Sequence, residues 1–472
     1  MPVSNDGSVI EKGVTEDGTA VQAEALEAES DLIRSDVVTQ GLGRDGRAPR
    51  PSSGLVHNRR FLRLWGAQVV SNVGDWAYVL AVAAALTARL EGADLARAMA
   101  LVAAAEVGPS ALSGLLVAGS IADRFDRRRV MVVADLIRAG AVGTLLLVPA
   151  PGTVHVVLVA ACLGLCQSVF QPSLMASLPN VVPQDQLVHA SALTTGTYHL
   201  SIMVGPAIGA ILVATTGPES AFALNALSFV VSAILLLRIP LGRAERPTAE
   251  RWAPARDVAE GARYMVRTPL TRGIAVAMGL ALMLVAAKGP IEILVVRDRL
   301  TDGSVGAVAR ALGILTAAWG SGMVLGSLLA PAAAARVSRE RLLALAAIAA
   351  GACFLAATQV GSVVPVAALW LVGGTATGIA NVAYETLLQE RTPDGMRGRV
   401  FATTEAVQDL LYVTGALAIV ALGVSGTFAP LGVAFVGVGL VTLGMLVPPP
   451  ATRPATVHEP SLADARTLEL AA

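Results

Sequence analysis

The sequence predicts an all-α integral membrane protein with twelve transmembrane helices in two six-helix halves. Of its 472 residues, 54% are hydrophobic and only 15% are charged, and the mean hydropathy is +0.65. Soluble globular proteins are less apolar, with about 25% charged residues. From Arg59 onward, apolar runs of about 20 residues, each long enough to cross a bilayer as a helix, alternate with short polar turns.

The segment before the first apolar run, residues 1–56, is predicted to be a disordered acidic cytosolic tail. Ten acidic side chains and almost no large apolar ones occur in residues 1–55, and such a composition does not support a hydrophobic core. The segment lacks the basic start and apolar centre of a signal peptide, so we expect no cleavage. Residues 449–472 are predicted to form a second cytosolic tail.

Twelve apolar runs give the predicted helices. Their approximate limits are residues 62–88, 96–120, 130–149, 153–178, 189–214, 219–238, 272–296, 307–333, 341–360, 363–388, 400–424 and 428–447. The first six define an N-terminal half, residues 57–239, and the last six a C-terminal half, residues 272–448. Between them lies a polar, Arg-rich cytoplasmic linker, residues 240–271, in which residues 256–267 are predicted to form an amphipathic helix on the membrane surface.

The distribution of arginine predicts a multi-pass cell-membrane protein with both termini in the cytoplasm. With the N-terminus inside, 18 inter-span arginines fall on the cytoplasmic side and 5 on the outer side. Cytoplasmic loops of membrane proteins carry such an excess of positive charge. The 33 arginines against only two lysines also indicate a GC-rich bacterial genome.

The loop between the second and third spans, residues 119–129, reads G-S-I-A-D-R-F-D-R-R-R and carries four arginines. Asp123 of this loop sits at the membrane boundary. The arginines can reach its carboxylate, the lipid head groups or the ends of neighbouring helices. Asp135 and Arg138, three residues apart in the third span, are predicted to pair with each other or with this loop. We therefore predict a gating latch; the alternative is a purely topogenic signal. The predicted latch residues are Gly119, Asp123, Arg124, Arg127, Arg128, Asp135 and Arg138.

The pattern G-x-x-x-D-R-x-x-R-R-R in this loop resembles the loop signature of the major facilitator superfamily. The resemblance implies a twelve-helix transporter fold and assigns Asp123 and Arg127 to locking the outward-open state. Asp126 stands where that family usually has glycine.

Three further stretches narrow the resemblance to one branch of the superfamily. They are N-R-R-F-L-R-L-W-G-A-Q-V-V-S-N-V-G-D-W at 58–76, Q-P-S-L-M-A-S-L-P at 171–179 and G-R-V-F at 398–401. They are similar to the branch that includes the enterobactin exporter and macrolide efflux proteins, and the resemblance covers residues 57–448. It implies export of a small molecule, usually driven by the proton gradient.

The two halves repeat each other with a shift of 210 residues. L-P-N-V-V-P at 178–183 matches L-Q-E-R-T-P at 388–393, each after the fourth span of its half. The same shift pairs Gly164 with Gly374, Thr194 with Thr404 and Gly205 with Gly415. Because the matches agree with the hydropathy pattern, we predict a duplication whose halves surround a central cavity.

The fifth span carries glycines and a proline that predict close helix packing and a bend. We predict that Gly196, Gly205, Pro206 and Gly209 lie on a near-common face. Their spacing resembles a signature of drug/proton antiporters, with Ser201 and Ala210 in place of two glycines. The alternative is ordinary tight packing of a transmembrane helix.

Acidic residues inside spans are the predicted proton carriers. Asp75 in the first span and Glu106 in the second lie at similar depth, and burial beside a like charge favours the protonated form of a carboxyl group. We therefore predict that Asp75 or Glu106 takes the coupling proton, with Asp409 in the eleventh span as a further candidate. The alternative is that each bonds only to a neighbouring helix, and Na⁺ is the alternative ion.

A mostly apolar cavity is predicted to bind an amphipathic small molecule, such as an antibiotic, drug or siderophore. Gln167, Gln171 and Asn381 are the candidate hydrogen-bonding residues. Lys288 and Glu292, at i and i+4 near the outer end of the seventh span, are predicted to form an interfacial ion pair that reaches toward the lipid surface.

Other functional classes have little support in the sequence. There is no phosphate-binding G-x-x-x-x-G-K-[ST] motif, the five histidines are scattered, and the three cysteines lie in apolar spans. We therefore predict no enzyme activity, metal, cofactor or nucleic-acid partner, and favour a monomer. The predicted function is a proton-coupled exporter working by alternating access. The alternative is a non-transporting membrane sensor or scaffold on a transporter fold.

Overall fold

The computed structural model describes residues 55–116, 126–148, 151–239, 254–393, 396–422 and 427–446. Nearly all of the predicted N-terminal tail and the whole predicted C-terminal tail lie outside these ranges. Of the predicted latch, Gly119, Asp123 and Arg124 also lie outside the described residues.

Thirteen α-helices make up the described part of the chain, and no strand occurs in it. They are α1 Arg59–Thr87, α2 Gly92–Leu116, α3 Arg127–Leu147, α4 Thr153–Val181, α5 Leu187–Thr216, α6 Pro218–Leu237, α7 Pro254–Arg267, α8 Pro269–Val295, α9 Val305–Ala334, α10 Arg339–Ala357, α11 Val363–Arg391, α12 Arg397–Leu422 and α13 Ala429–Leu446. Eleven are long and apolar enough to cross a membrane. With α2, whose 25 residues include three charged side chains, they confirm the predicted twelve spans.

Polar side chains cap two helices at the end of the bundle that carries the basic loop. Asn58 accepts hydrogen bonds from the first backbone N–H groups of α1, at 3.0 and 3.2 Å. Asp126 does the same for α3, also at 3.0 and 3.2 Å. Asp126 therefore acts as an N-cap where the family usually has glycine, and it fixes the start of α3 directly after the loop. We call this end, where α3 and α12 begin, the arginine-rich end.

The helices pack as two six-helix halves joined along two seams. In the first half, α1 packs on α5 and α6, α3 on α4 and α6, and α2 on α4. In the second, α8 packs on α12 and α13, α9 on α11, and α10 on α11 and α13. One seam joins α5 and α1 to α9, and the other joins α2 to α12 and α8.

Repeat-related glycines make equivalent contacts in the two halves. A Cβ atom on Gly164 would lie 2.8 Å from a carbonyl carbon of α2, and one on Gly374 would lie 3.0 Å from a carbonyl carbon of α9. Gly205 and Gly415 bring α5 onto α1 and α12 onto α8 in the same way, at 2.5 and 2.8 Å. The shift of 210 residues thus relates equivalent helix pairs, as expected for a duplicated fold.

The glycines of α5 do not share one face. Cβ atoms on Gly205 and Gly209 would lie 2.5 and 2.8 Å from atoms of α1, whereas one on Gly196 would meet nothing within 4 Å. The nine residues from Gly196 to Gly205 turn a helix by about two and a half turns, so the two point to opposite sides. The packing predicted at Gly196 is therefore absent. The carbonyl of Pro206 faces α9, 3.2 Å from a Cβ built on Gly313.

The predicted amphipathic helix of the linker is α7, and it packs against the second half. Glu260 forms an ion pair of 2.8 Å with Arg399 of α12. A Cβ on Gly261 would lie 2.6 Å from a backbone oxygen of α12, and the Tyr264 hydroxyl donates to the Arg391 carbonyl at 3.1 Å. These contacts fix α7 to the arginine-rich end of that half.

Candidate functional site

The first half places three carboxyl groups and one guanidinium in its interior. Asp75 of α1 is half-buried and lies within electrostatic range of Arg138, Glu106 and Asp135. Glu106 of α2 is also half-buried. The structure thus brings together both predicted proton carriers and two of the predicted latch residues. We call these four residues the acidic cluster.

Asp135 and Arg138 of α3 pair with each other deep inside the half. Asp135 is fully buried and Arg138 is 2% exposed, and their side chains approach to 3.6 Å. Ser232 of α6 donates a hydrogen bond of 2.6 Å to Asp135. The guanidinium lies 4.4 Å from the ring centre of Phe170 and 5.1 Å from that of Phe229. The pair thereby links α3, α4 and α6.

Removal of Arg138 alone is expected to destabilise the protein by about 3–5 kcal/mol, because Asp135 would stay buried without its cation. The matched control is the double variant Asp135→Asn/Arg138→Met, which removes both charges and is expected to recover most of the loss relative to Arg138→Met. Thermal unfolding of the purified proteins in the same detergent measures the loss of stability in Arg138→Met and its recovery in the double variant. A double variant no more stable than Arg138→Met would contradict the buried pairing.

A polar stripe on α6 faces the acidic cluster, and sequence reasoning missed it. Asn225, Ser228 and Ser232 follow the spacing i, i+3, i+7, which puts them on one helix face. All three are buried. At Gly74 of α1, beside Asp75, a Cβ would lie 2.7 Å from the Asn225 amide oxygen. The sequence signal that could have identified this stripe is the spacing of three polar residues at i, i+3 and i+7 within an apolar span.

Two arginines of the predicted latch bind carbonyl groups within the first half. Arg127 donates to the Ala176 carbonyl of α4 at 2.7 Å, and Arg128 donates to the Ile239 carbonyl after α6 at 3.5 Å. Cations favour the carboxyl ends of helices because unpaired carbonyl groups concentrate there. These arginines therefore join the start of α3 to the ends of two neighbouring helices.

Asp409 lies on the seam between the halves and not in the acidic cluster. Its carboxylate accepts a hydrogen bond of 2.8 Å from Ser110 of α2. The side chain is half-buried. Asp409 therefore joins α12 of the second half to α2, the helix that also carries Glu106.

Two of the three candidate cavity residues, Gln171 and Asn381, occupy equivalent positions in the two halves. Gln167 and Gln171 are exposed, on a face of α4 nearly opposite to the exposed Leu158 and Leu165. Asn381 of α11 is half-buried and follows Gln171 by 210 residues, the shift of the repeat. The exposed leucines mark an apolar outer face, so the glutamines point toward the interior of the bundle.

Lys288 and Glu292 do not form the interfacial pair that the sequence predicted. They bond at 2.7 Å, with only 12% and 6% of their side chains exposed. The Lys288 ammonium lies 5.2 Å from the ring centre of Trp319 and 5.6 Å from that of Trp370. The Trp370 indole N–H donates to Glu292 at 2.5 Å. Side chains of two other helices, α9 and α11, lie against the pair, and the spacing within α8 gave no sign of this.

Arg297 connects the halves at the end of the bundle opposite to the arginine-rich end. It follows α8 directly and donates to the Leu90 carbonyl at 2.6 Å and to the Glu91 carboxylate at 2.5 Å. Both acceptors lie in the turn between α1 and α2. We call this contact the Arg297 latch.

No cofactor site stands out in the part of the chain that the structure describes. Among those residues, no three His, Cys, Asp or Glu side chains group to hold a metal ion. Cys162, Cys166 and Cys353 are free thiols.

Comparison with curated proteins finds transporters. An uncharacterised MFS-type transporter of Bacillus subtilis (strain 168), YfiS, is 26% identical over 414 residues, which are 82% of this chain and 94% of YfiS. The enterobactin exporter EntS of Escherichia coli O1:K1 is 29% identical over 351 residues, which are 72% of this chain and 80% of EntS.

Solved structures and a family profile agree with these relatives. A peptide transporter in complex with alafosfalin matches with a TM-score of 0.65 at 13% identity, over 87% of this chain and 97% of its own. The structure of the nucleoside transporter NupG matches with a TM-score of 0.63 at 13% identity, over 83% of this chain and 100% of its own. At such identity the likeness shows the fold alone. The profile described as transmembrane secretion effector matches residues 53–446. The chain is a multi-pass membrane transporter and belongs to this family of the major facilitator superfamily.

Proposed function

We propose that the protein is a proton-coupled exporter that exchanges an amphipathic small molecule for protons by alternating access. The acidic cluster carries this proposal. Asp75 and Asp135 lie within electrostatic range of the Arg138 guanidinium, and Glu106 lies within range of Asp75. The three carboxyl groups outnumber the one cation, and uncompensated charge within a membrane is unfavourable. Binding of protons removes the excess negative charge, so the proton occupancy of the cluster and the stability of each transport state depend on each other.

Export is supported by the relatives and by the distribution of charge. EntS, at 29% identity, is an exporter of enterobactin. The arginine-rich end then faces the cytoplasm of a bacterial cell, both termini lie inside, and the substrate leaves at the opposite end. An antibiotic, drug or siderophore fits a cavity bordered by Gln167, Gln171 and Asn381 on apolar helices.

Alternating access in this proposal is a rocking of residues 57–239 against residues 272–448, with residues 240–271 as the linker. The Arg297 latch holds the outer ends together, and its hydrogen bonds have to break in the outward-open state. The basic loop after α2 latches the opposite state. Each state thus has contacts that the other lacks, which is what a two-state transporter requires.

The proposed function is tested by transport in everted membrane vesicles. A panel of lipophilic antibiotics and siderophores is added with and without an imposed pH gradient. Accumulation of one panel member that depends on the gradient, and on expression of the protein, supports an antiporter and names its substrate class. Accumulation that follows an imposed sodium gradient instead would refute proton coupling, and movement independent of any gradient would refute coupled export.

Loss of the Arg297 latch is expected to open the outer end of the transporter. Arg297→Ala removes hydrogen bonds to a carbonyl and a carboxylate, and an energy of about 1.4 kcal/mol shifts a two-state equilibrium by about tenfold. The measurement is the distance distribution between spin labels at Asp94→Cys and Asp302→Cys in a cysteine-free background. We expect a larger population of long distances.

The control is Arg299→Ala, which removes an exposed arginine from the same short segment. It is expected to leave the distances unchanged. Equal distance distributions for Arg297→Ala and Arg299→Ala would show that the Arg297 latch does not hold the outer ends together.

A further inference from the structure

The acidic cluster and the residues that face it carry buried polar atoms that have no hydrogen-bond partner among the described residues, apart from the 3.6 Å approach between Asp135 and Arg138. They are the Tyr78 hydroxyl, the Asn225 amide nitrogen, Oδ1 of Asp135, and Nε and Nη2 of Arg138. All four side chains are at most 2% exposed. Buried polar groups in proteins are nearly always hydrogen-bonded, and a group of unpartnered ones points to a bound polar ligand.

These atoms lie where α6 packs against α1 and α3, and we call this row of residues the polar file. The Tyr78 ring lies 5.8 Å from that of Phe222, at one end of the file. Asn225 follows beside Asp75, and Ser232 bonds to Asp135 at the other end. From residue 222 to residue 232, α6 rises about 15 Å. The file therefore runs from the first turns of α6, which lie toward the end opposite to the arginine-rich end, toward the arginine-rich end.

We propose that this polar file holds a chain of internal water molecules that carries protons between Asp75 and the arginine-rich end. A buried water molecule makes about three hydrogen bonds, and the file offers both donors and acceptors for several. Water accepts from Arg138 and Asn225 and donates to Asp135. These unpartnered atoms therefore fit water molecules better than a cation, because the positive charge of Arg138 would repel a cation.

The role in proton transfer rests on the proposed function, whereas the presence of water does not. Asp75 is half-buried, whereas Asp135 is fully buried. A hydrated file gives the Asp75 proton a route that stays inside the first half, separate from the path of the solute. Titratable or charged groups of the described residues face it from five helices. They are Asp75 and Tyr78 of α1, Glu106 of α2, Asp135 and Arg138 of α3, Cys166 of α4 and Tyr198 of α5.

Hydration is tested on the unmodified protein by radiolytic labelling, in which hydroxyl radicals formed from bound water oxidise adjacent side chains. Phe229 lies in the file against Arg138, and Phe354 lies in the aromatic core of the second half. Both are fully buried, so bulk solvent reaches neither. We expect several-fold faster oxidation of Phe229. Equal rates would overturn the proposal.

The proton role is tested with Ser232→Ala, which removes one hydrogen-bonding group of the file. We expect export driven by a pH gradient to slow several-fold while solute exchange without a gradient stays unchanged. The control is Ser220→Ala on the same helix, whose hydroxyl bonds only to a carbonyl one turn earlier. A wild-type gradient response in Ser232→Ala would overturn the proton route.

The two measurements separate this proposal from the proposed function. Labelling needs no transport, so it decides on the water site even in a protein that moves no panel solute. A wild-type protein that transports without responding to a pH gradient would count against proton coupling itself. Slow gradient-driven export in Ser232→Ala, together with fast oxidation of Phe229, supports the hydrated route.

Discussion

Gly164→Ala is expected to remove most of the folded protein. A Cβ at this position would lie 2.8 Å from the carbonyl carbon of Glu106 and closer still to its oxygen. These are backbone atoms of α2, so no side-chain rotation relieves the contact, and α2 and α4 have to separate. Helices in a membrane associate through close packing at small residues, because lipid supplies no hydrophobic driving force between them. Overpacking of this kind costs about 1–3 kcal/mol or more.

The matched control is Gly143→Ala in α3, where an added Cβ meets nothing within 4 Å. That change is expected to be neutral or stabilising, since alanine favours a helix over glycine by about 1 kcal/mol. Size-exclusion yield and thermal unfolding of the purified proteins measure the difference. Equal yield and stability for both variants would show that α2 and α4 are not in backbone contact at Gly164.

The boundaries of the spans were predictable because bilayer thickness sets the length of an apolar helix. The predicted run at 428–447 is helix α13, Ala429–Leu446, and the run at 153–178 is α4, Thr153–Val181. At the start of α1, a polar cap sets the boundary. Helix α1 begins at Arg59 and not near residue 62 because Asn58 accepts its first N–H groups.

The partners of individual side chains were less predictable, since hydropathy does not show which helix faces which. Asp75 and Glu106 were placed at one depth by counting residues, and the structure puts them in one cluster. The predicted position of Lys288 at the interface is wrong because Trp319 and Trp370, on two other helices, cover its ammonium group. The predicted packing at Gly196 is wrong because nine residues of helix turn it away from Gly205.

Asp75→Asn is expected to abolish gradient-driven export while leaving the protein folded. Asparagine keeps the size and hydrogen-bonding capacity of the side chain beside Asn225 but cannot bind or release a proton. The acidic cluster then has one negative charge fewer at high pH, so its charge changes less between the two states of the cycle. Exchange of solute without a gradient does not require that change and is expected to continue. The measurement compares accumulation of the solute in vesicles under a pH gradient with exchange of the solute at equal pH on both sides. We expect Asp75→Asn to lose the first and keep the second.

Glu106→Gln is expected to behave in the same way, whereas Asp409→Asn is expected to have a smaller effect. Asp409 accepts a hydrogen bond from Ser110 on the seam, and the asparagine oxygen can still accept it. The three variants change one carboxyl group each and differ only in location. If Asp75→Asn and Glu106→Gln both kept full pH-driven export, the acidic cluster would not be the proton site. Loss of coupling in Asp409→Asn alone would move that site to the seam, where protonation would act on the contact between the halves directly.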